Sequence, residues 1–267
     1  MSLRIAKALN LAKTRLGSIK IAKKLACLHL GLSQSELFLK ENDEISDESG
    51  YFELCDRFAN GEPFEYISGI CEFMGRDFKV GKGVLIPRIE TEILVQKTLE
   101  IGAKFDQPKI CEIGTGSGII AITLALNLPN AKIIATDISK KALNYAKFNA
   151  KNLGANVDFH QTNLIDGINE KFDIIVSNPP YIANDYNLDI WVKNEPSLAL
   201  FGGEKGDEIL KQIIAISAKR TKFLCCEIGY DQKISLQNEL NKFGFKSEFY
   251  KDLAGFDRGF VAKTKYS

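Results

Sequence analysis

The sequence predicts an α/β protein: a doubly wound, mostly parallel seven-stranded sheet preceded by a small helical domain. Three observations predict it. From Lys109 onward, short apolar strands alternate with helix-length amphipathic segments, the signature of repeated β-α-β units. A glycine-rich turn, Gly114-Thr-Gly116-Ser-Gly118, follows the first of these strands and opens a helix. The first 60 residues carry helical periodicity and no strand signal.

Taken in order, Ile5, Ala8, Leu9, Ala12 and Leu16 fall on one helical face, and Ile21, Leu25, Leu28 and Leu32 continue that spacing. Ser33 and Glu36 form an S-x-x-E capping box ahead of Leu37. Tyr51, Leu54, Cys55 and Phe58 give another apolar face, closed by Gly61. Residues 62–86 read as a link in which Glu72–Val80 alternates like a strand and pairs with Val84–Ile86. Strands follow at 109–113, 132–136, 157–160, 172–177, 223–227, 245–250 and 259–263. Helices are expected at 117–128, 139–153 (Ser139 as N-cap), 207–219 and 231–243. The last two strands are close enough to form an antiparallel hairpin. The expected domains are 1–70 (helical), 71–88 (β-hairpin linker) and 89–267 (the sheet domain).

The 267 residues carry 35 Lys+Arg against 34 Asp+Glu, a net charge of +1, which argues against a nucleic-acid coat protein. Charge is uneven: Arg4, Lys7, Lys13, Arg15, Lys20, Lys23, Lys24 and Lys40 stand against Glu36 alone in residues 1–40. That is either a docking face for an acidic or RNA-bound partner or a solvated helix surface. No apolar run approaches the ~20 residues of a membrane span. Six cysteines without a C-x-x-C pair, and only His29 and His160, disfavour a metal site or a histidine-driven triad. Six reduced thiols suit a cytoplasmic protein.

Three motifs carry chemistry. Glycines at 114, 116 and 118, two residues after Glu112, let a ligand approach the backbone. Ile119 stands where a dinucleotide fingerprint needs glycine, so the loop is closer to that of class I methyltransferases. Another nucleotide or a structural turn remain alternatives for the loop alone. Asp137 ends the next strand, 21 residues after Gly116, at the distance of a ribose acceptor. Its alternative role is to complement the dipole of the helix that follows. Asn178-Pro179-Pro180-Tyr181 ends the strand at 172–177. Prolines cannot extend a ladder; with an amide and a flat ring beside them they suit a planar –NH₂ group, one N–H to Asn178 Oδ1 and one to the Pro179 carbonyl.

In order along residues 57–263, the chain resembles the peptide chain release factor glutamine methyltransferase family. The resemblance rests on Gly61-Glu-Pro-Phe-Glu-Tyr-Ile-Ser-Gly69, Val84-Leu-Ile-Pro87-Arg88, Glu90-Thr-Glu92, Ile113–Gly118, Asp137-Ile-Ser139, Ser177–Ile182, Glu195-Pro196, Glu227-Ile-Gly229 and Asp252–Arg258. Departures are few: Glu112 where aspartate is common, Ile89 for a usual proline, and Asn163 for a usual aspartate. The resemblance implies a Rossmann-like class I methyltransferase fold with an N-terminal substrate-docking domain. It implies S-adenosylmethionine as cofactor, S-adenosylhomocysteine as product, and methylation of the glutamine amide in the Gly-Gly-Gln motif of release factors. Cofactor contacts are then expected from Glu112, Gly114, Thr115, Gly116, Ser117, Gly118, Asp137, Asn163, Leu164 and Asn178. Catalytic and substrate contacts are expected from Asn178, Pro179, Pro180 and Tyr181, with Arg88 on the substrate side. A cytoplasmic monomer with a protein substrate, no metal, no membrane and no DNA substrate is expected. The rivals are a DNA or RNA adenine methyltransferase, disfavoured by balanced charge and a small extra domain, and a binding module that docks release factors without catalysis.

Overall fold

Local signals in the N-terminal segment translate directly into helices. In the computed structural model, residues 3–264 are described; the outermost residues of the expected 1–70 and 89–267 segments lie outside them. Helix α1 (Ile5–Leu16) buries Ile5, Ala8, Leu9 and Ala12 as one stripe. Helix α2 (Ile19–Leu30) starts at Ser18, whose side chain accepts the Ile21 N–H. Helix α3 (Gln34–Leu39) begins with both bonds of the Ser33–Glu36 capping box. Helices α4 (Glu48–Ala59) and α5 (Phe64–Ser68) complete the set. Their core gathers Leu25, Ala26, Leu37, Tyr51 and Cys55, and the buried Tyr51 hydroxyl donates to the Ala22 carbonyl at 3.1 Å. Leu28, expected on the apolar face of α2, is instead exposed. The close-packed stripe of α2 runs through the small residues Ala22 and Ala26 together with Leu25, and Leu28 lies off it. Of the basic residues noted above, Arg15, Lys23 and Lys24 pair with Asp56, Glu41 and Glu65.

This small compact unit comprises residues 3–69 together with 189–194. The later segment is held by Phe58 against Trp191, ring centroids 4.5 Å apart, and by Asn194 Nδ2 donating to the Gly61 carbonyl at 2.8 Å. The larger unit comprises 70–188 and 195–264. It opens with a hairpin of β1 (Ile70–Phe73) and β2 (Arg76–Lys79). Met74 and Gly75 both have positive φ, the signature of the two-residue turn that matches strand twist. The expected pairing of Glu72–Val80 with Val84–Ile86 is therefore not formed. The tight turn at Met74-Gly75 closes the hairpin before residues 81–83 are reached, and Val84–Ile86 runs as irregular chain with the Ile86 N–H donating to Glu195 Oε2 at 2.9 Å. The hairpin belongs to the larger unit. Lys79 exchanges two bonds with buried Asn149 (N to Oδ1 2.8 Å, Nδ2 to O 3.0 Å), and Asn149 Nδ2 also donates to the Ser117 carbonyl at 2.9 Å.

Helix α6 (Thr91–Gly102) has no counterpart in the sequence expectations, although Leu94, Val95, Thr98 and Ile101 bury one helical face. After it come β3 (Lys109–Ile113), α7 (Ile119–Asn127), β4 (Lys132–Asp137), α8 (Lys140–Leu153), β5 (Asp158–Gln161), β6 (Phe172–Ser177), β7 (Ile182–Ala183), α9 (Ile190–Lys193, in the small unit), α10 (Ser197–Leu200), β8 (Phe201–Gly203), α11 (Glu208–Ser217), β9 (Thr221–Glu227), α12 (Lys233–Lys242), β10 (Phe245–Lys251) and β11 (Asp257–Thr264). The main sheet has seven strands in the order β10-β11-β9-β6-β3-β4-β5. All neighbours are parallel except the terminal hairpin β10–β11 and its pairing with β9. Both faces are covered. Leu94, Ile120, Ile122 and Leu124 from α6 and α7 meet Ile110, Ile174 and Val176 on one side. Leu210, Ile213, Leu236 and Leu240 from α11 and α12 meet Cys111, Ile175 and Leu224 on the other. Adjacent residues of one strand thus serve opposite layers, as burial on two faces requires. All six cysteines are free. Among the described residues, no helix is long and apolar enough to cross a membrane.

Asn149→Ala tests the clamp between hairpin and glycine turn. It removes one buried and two part-buried hydrogen bonds and leaves the Lys79 N–H without its acceptor, so a loss of roughly 2–4 kcal/mol is expected. The urea midpoint followed by circular dichroism measures it; a change under about 1 kcal/mol would remove Asn149 from this role.

Candidate active site

Strand order dictates where a ligand can sit. The chain runs from β3 out to β4 and β5, then returns to lay β6 on the other side of β3. At such a switch point the connections at the carboxyl ends diverge and leave a crevice. The Ser177 hydroxyl donates to the Ile113 carbonyl at 2.7 Å and ties the two strand ends together. A cavity of about 230 Å³ opens there.

Its wall unites most of the residues singled out from the sequence. Glu112, Gly114, Thr115, Gly116 and Ser117 line it from the end of β3, Asp137 from β4, and Asn163 and Leu164 from the segment after β5. Asn178, Pro179 and Pro180 line it from β6, and Arg88 from the stretch before α6. Two expected residues are not in the wall. Gly118 sits behind it, where a Cβ would meet Ile122 Cδ1 at 2.7 Å and Ala146 Cα at 3.2 Å; its φ of +88° and this contact between α7 and α8 both call for glycine. Tyr181 packs beside the core under α11 and α12, and its hydroxyl donates to Glu227 Oε1 at 3.2 Å.

Backbone donors organise the acids. Gly116 N–H donates to Asp137 Oδ2 at 2.9 Å and Ser139 N–H to Oδ1 at 2.8 Å, so both oxygens are anchored and each keeps a lone pair. Gly114 and Thr115 N–H both donate to the Thr136 carbonyl at 2.9 Å, and Gly118 N–H to the Thr115 carbonyl at 2.8 Å. Glu112 Oε2 accepts from Thr115 Oγ1 at 2.6 Å and from Ala121 N–H at 2.9 Å. Burial pushes the Glu112 carboxyl up to about 8 despite these donors. Burial also raises Asp137, against the two backbone bonds that favour its charged form. Leu164 is held at a φ of 48°, a costly conformation for a leucine that keeps it at the cavity wall. Arg88 is gripped by the buried carboxylate of Glu195 and donates from Nη1 to the Ile86 carbonyl at 3.1 Å.

Asn178 occupies the junction of this wall with a second network that sequence spacing does not reveal. Its Nδ2 donates to Thr91 Oγ1 at 3.1 Å, and Thr91 Oγ1 donates to Glu227 Oε2 at 2.7 Å. Asn178 Oδ1 is buried with no hydrogen-bond partner among the described residues. Thr91 also lines the cavity. Gln232 Nε2 donates to the Tyr181 carbonyl at 2.8 Å and steadies the same loop. Gly202 packs so closely beneath it that a Cβ would stand 2.6 Å from the Pro180 carbonyl. Neither Gln232 nor Gly202 is singled out by the sequence, and Thr91 and Glu227 enter there only as parts of a family resemblance.

Two family models match the chain: a PrmC N-terminal domain over residues 7–69 and a methyltransferase small domain over residues 89–193. A release factor glutamine methyltransferase from Clostridium botulinum is 40% identical over 270 residues, covering 95% of this chain and 95% of the relative. One from Lactococcus lactis is 44% identical over 214 residues, covering 77% and 79%. Among solved structures, a methyltransferase from Pyrococcus furiosus aligns with a TM-score of 0.55 at 20% identity, over 75% of this chain and 93% of that one, a likeness of fold. With identity of this degree running through both compact units, the chain belongs to the release factor glutamine methyltransferase family.

Proposed function

We propose that the protein transfers a methyl group from S-adenosylmethionine to the side-chain amide nitrogen of the glutamine in the Gly-Gly-Gln motif of peptide chain release factors, in the cytoplasm. The observation that carries this reading is Asn178 Oδ1: a buried acceptor without a partner, on a residue that lines the same cavity as the glycine turn and Asp137. An unpaired buried acceptor is costly, and a primary amide supplies the donor it lacks.

The residues present fit the cofactor. A Cβ on Gly114 or Gly116 would meet nothing within 4 Å, so the turn leaves open space at its surface. Asp137 has a free lone pair on each oxygen for ribose hydroxyls, Glu112 a carboxylate for a cationic group, and Leu164 an apolar surface for a flat ring, with Asn163 beside it as an amide acceptor. When bound, S-adenosylmethionine supplies an electrophilic methyl group on a sulfonium sulfur.

The remaining work belongs to the chain. Asn178 Oδ1 and the Pro179 carbonyl accept the two N–H bonds of the glutamine amide. That orients its nitrogen lone pair, which is otherwise delocalised into the carbonyl, and stabilises the positive charge that grows on nitrogen; the methylated amide, strongly acidic while it keeps both hydrogens, then gives one proton to solvent. Fixing the nucleophile in line is worth about 7–11 kcal/mol in favourable cases. Pro180 stiffens the loop, Tyr181 anchors its far end on Glu227, and Arg88, held by Glu195, offers donors to the substrate chain.

Three outcomes test this. Asn178→Ala lowers the single-turnover rate at saturating donor and release factor about 10²–10³-fold, with donor affinity much less affected; a near-wild-type rate would sink the assignment. Asp137→Ala weakens donor binding by roughly 1.5–3 kcal/mol, about 10–150-fold by calorimetry, and unchanged affinity in the folded variant would exclude the ribose role. A cation favours the ionised form of a neighbouring acid. With Glu112 near 8 before binding, donor binding near pH 7 should release up to about one proton. Affinity therefore weakens as pH falls below that value. Calorimetry in buffers of different ionisation heat reads the release, which Glu112→Gln should abolish. Buffer-independent heats in the unaltered protein would refute it.

A further inference from the structure

We infer that Thr91 and Glu227 are positioning residues for methyl transfer: the Glu227 carboxylate holds the Thr91 hydroxyl as a donor, and this fixes the Asn178 carboxamide with its oxygen left for the substrate. The inference rests on the reading of Asn178 as the amide acceptor.

Hydrogen-bond inventory forces the orientation. An ionised carboxylate only accepts, so the single hydroxyl hydrogen of Thr91 is spent on Glu227 Oε2 at 2.7 Å. Toward Asn178, Thr91 Oγ1 can then only accept. The 3.1 Å contact must therefore come from Asn178 Nδ2, which turns Oδ1 away from Thr91, where it has no partner among the described residues. The other oxygen of the same carboxylate accepts the Tyr181 hydroxyl at 3.2 Å. One buried acid thus braces both ends of Asn178-Pro-Pro-Tyr181. Thr91 is wholly buried and Glu227 nearly so, so water does not compete for these bonds.

A neutral Glu227 removes the constraint. It can donate to Thr91, whose hydrogen is then free to turn to Asn178, and the carboxamide can present Nδ2 to an incoming N–H. The groups facing Glu227 are Thr91 and Glu90 at the start of α6, Tyr181 after β6, Tyr250 on β10 and Arg258 on β11. Burial outweighs the favourable contributions of Thr91, Arg258 and Tyr181 and brings the carboxyl up to about 7. The required charge is therefore present above that value and lost as pH falls through it.

The test uses the full chain and purified release factor, with S-adenosylmethionine held saturating at every pH so that Glu112-linked binding does not enter, and single-turnover rates across about pH 6 to 8.5. The unaltered protein should show a limb that falls on acidification. Thr91→Val keeps the shape of the side chain but removes the relay. Its rate should drop about 10–100-fold, its donor affinity should stay within about threefold, and its acid limb should disappear. Thr91→Ser, which keeps the hydroxyl, should restore both rate and limb. Wild-type rate and limb in Thr91→Val, or equal impairment of the Ser and Val variants, would overturn the inference. Asn178→Ala run alongside separates the two levels. A large loss there with an unaffected Thr91→Val rejects the positioning role alone, whereas a full rate in Asn178→Ala rejects the amide-acceptor reading beneath it.

Discussion

Parallel pairing of β3 with β6 is the constraint on which the rest of the molecule depends. It aligns Ile113 with Ser177, so the glycine turn and the Asn-Pro-Pro-Tyr loop leave the sheet side by side. The prolines then stop β6 from running on, and the turn sends the chain into α7. The residues of the cavity wall gather at this edge, while the central strands below it are apolar on both faces. A one-residue slip in that pairing would reverse which layer each strand residue serves and would part the two loops, so packing and site geometry are set by the same register.

The acids at that edge are held by donors rather than by cations. Asp137 is anchored by two backbone N–H groups, Glu112 by a hydroxyl and an N–H, and Glu227 by two hydroxyls, with Arg258 as the cation among the groups that shift it. Neutral donors fix the direction of a carboxylate without cancelling its charge. Arg88 and Glu195 form the contrasting case, a direct ion pair that also bonds the backbone of Ile86.

The β-α-β order is legible because the central strands β3, β6 and β9 are short apolar runs bounded by turn residues, and the sequence expectation matches the observed ends of β3 and β6. Asp137 and the glycine turn were legible because ligand loops at a switch point leave a fixed spacing. Helix α6 was not assigned, although Leu94, Thr98 and Ile101 carried its period. The hairpin was misread because Met74 does not announce a positive φ. The Thr91–Glu227–Asn178 chain could not be read by spacing, since its bonds join positions 136 and 87 residues apart. Tyr181 looked like a stacking face. Its hydroxyl, which the same side chain also carries, took it toward a buried acid outside the cavity wall.

The amide groups of the glycine turn have a consequence for selectivity. Turns of similar composition bind pyrophosphate by aiming free N–H groups at it. Here the N–H groups of Gly114, Thr115, Gly116 and Gly118 are committed to acceptors within the protein, and the carboxyl groups of Glu112 and Asp137 face the same space. A phosphate entering this cavity would find those N–H groups already bonded and would meet the Asp137 carboxylate. Those commitments and that charge make this edge a poorer seat for a phosphate than a loop whose amides are free. The discrimination comes from where the hydrogen bonds are already spent, not from a steric gate.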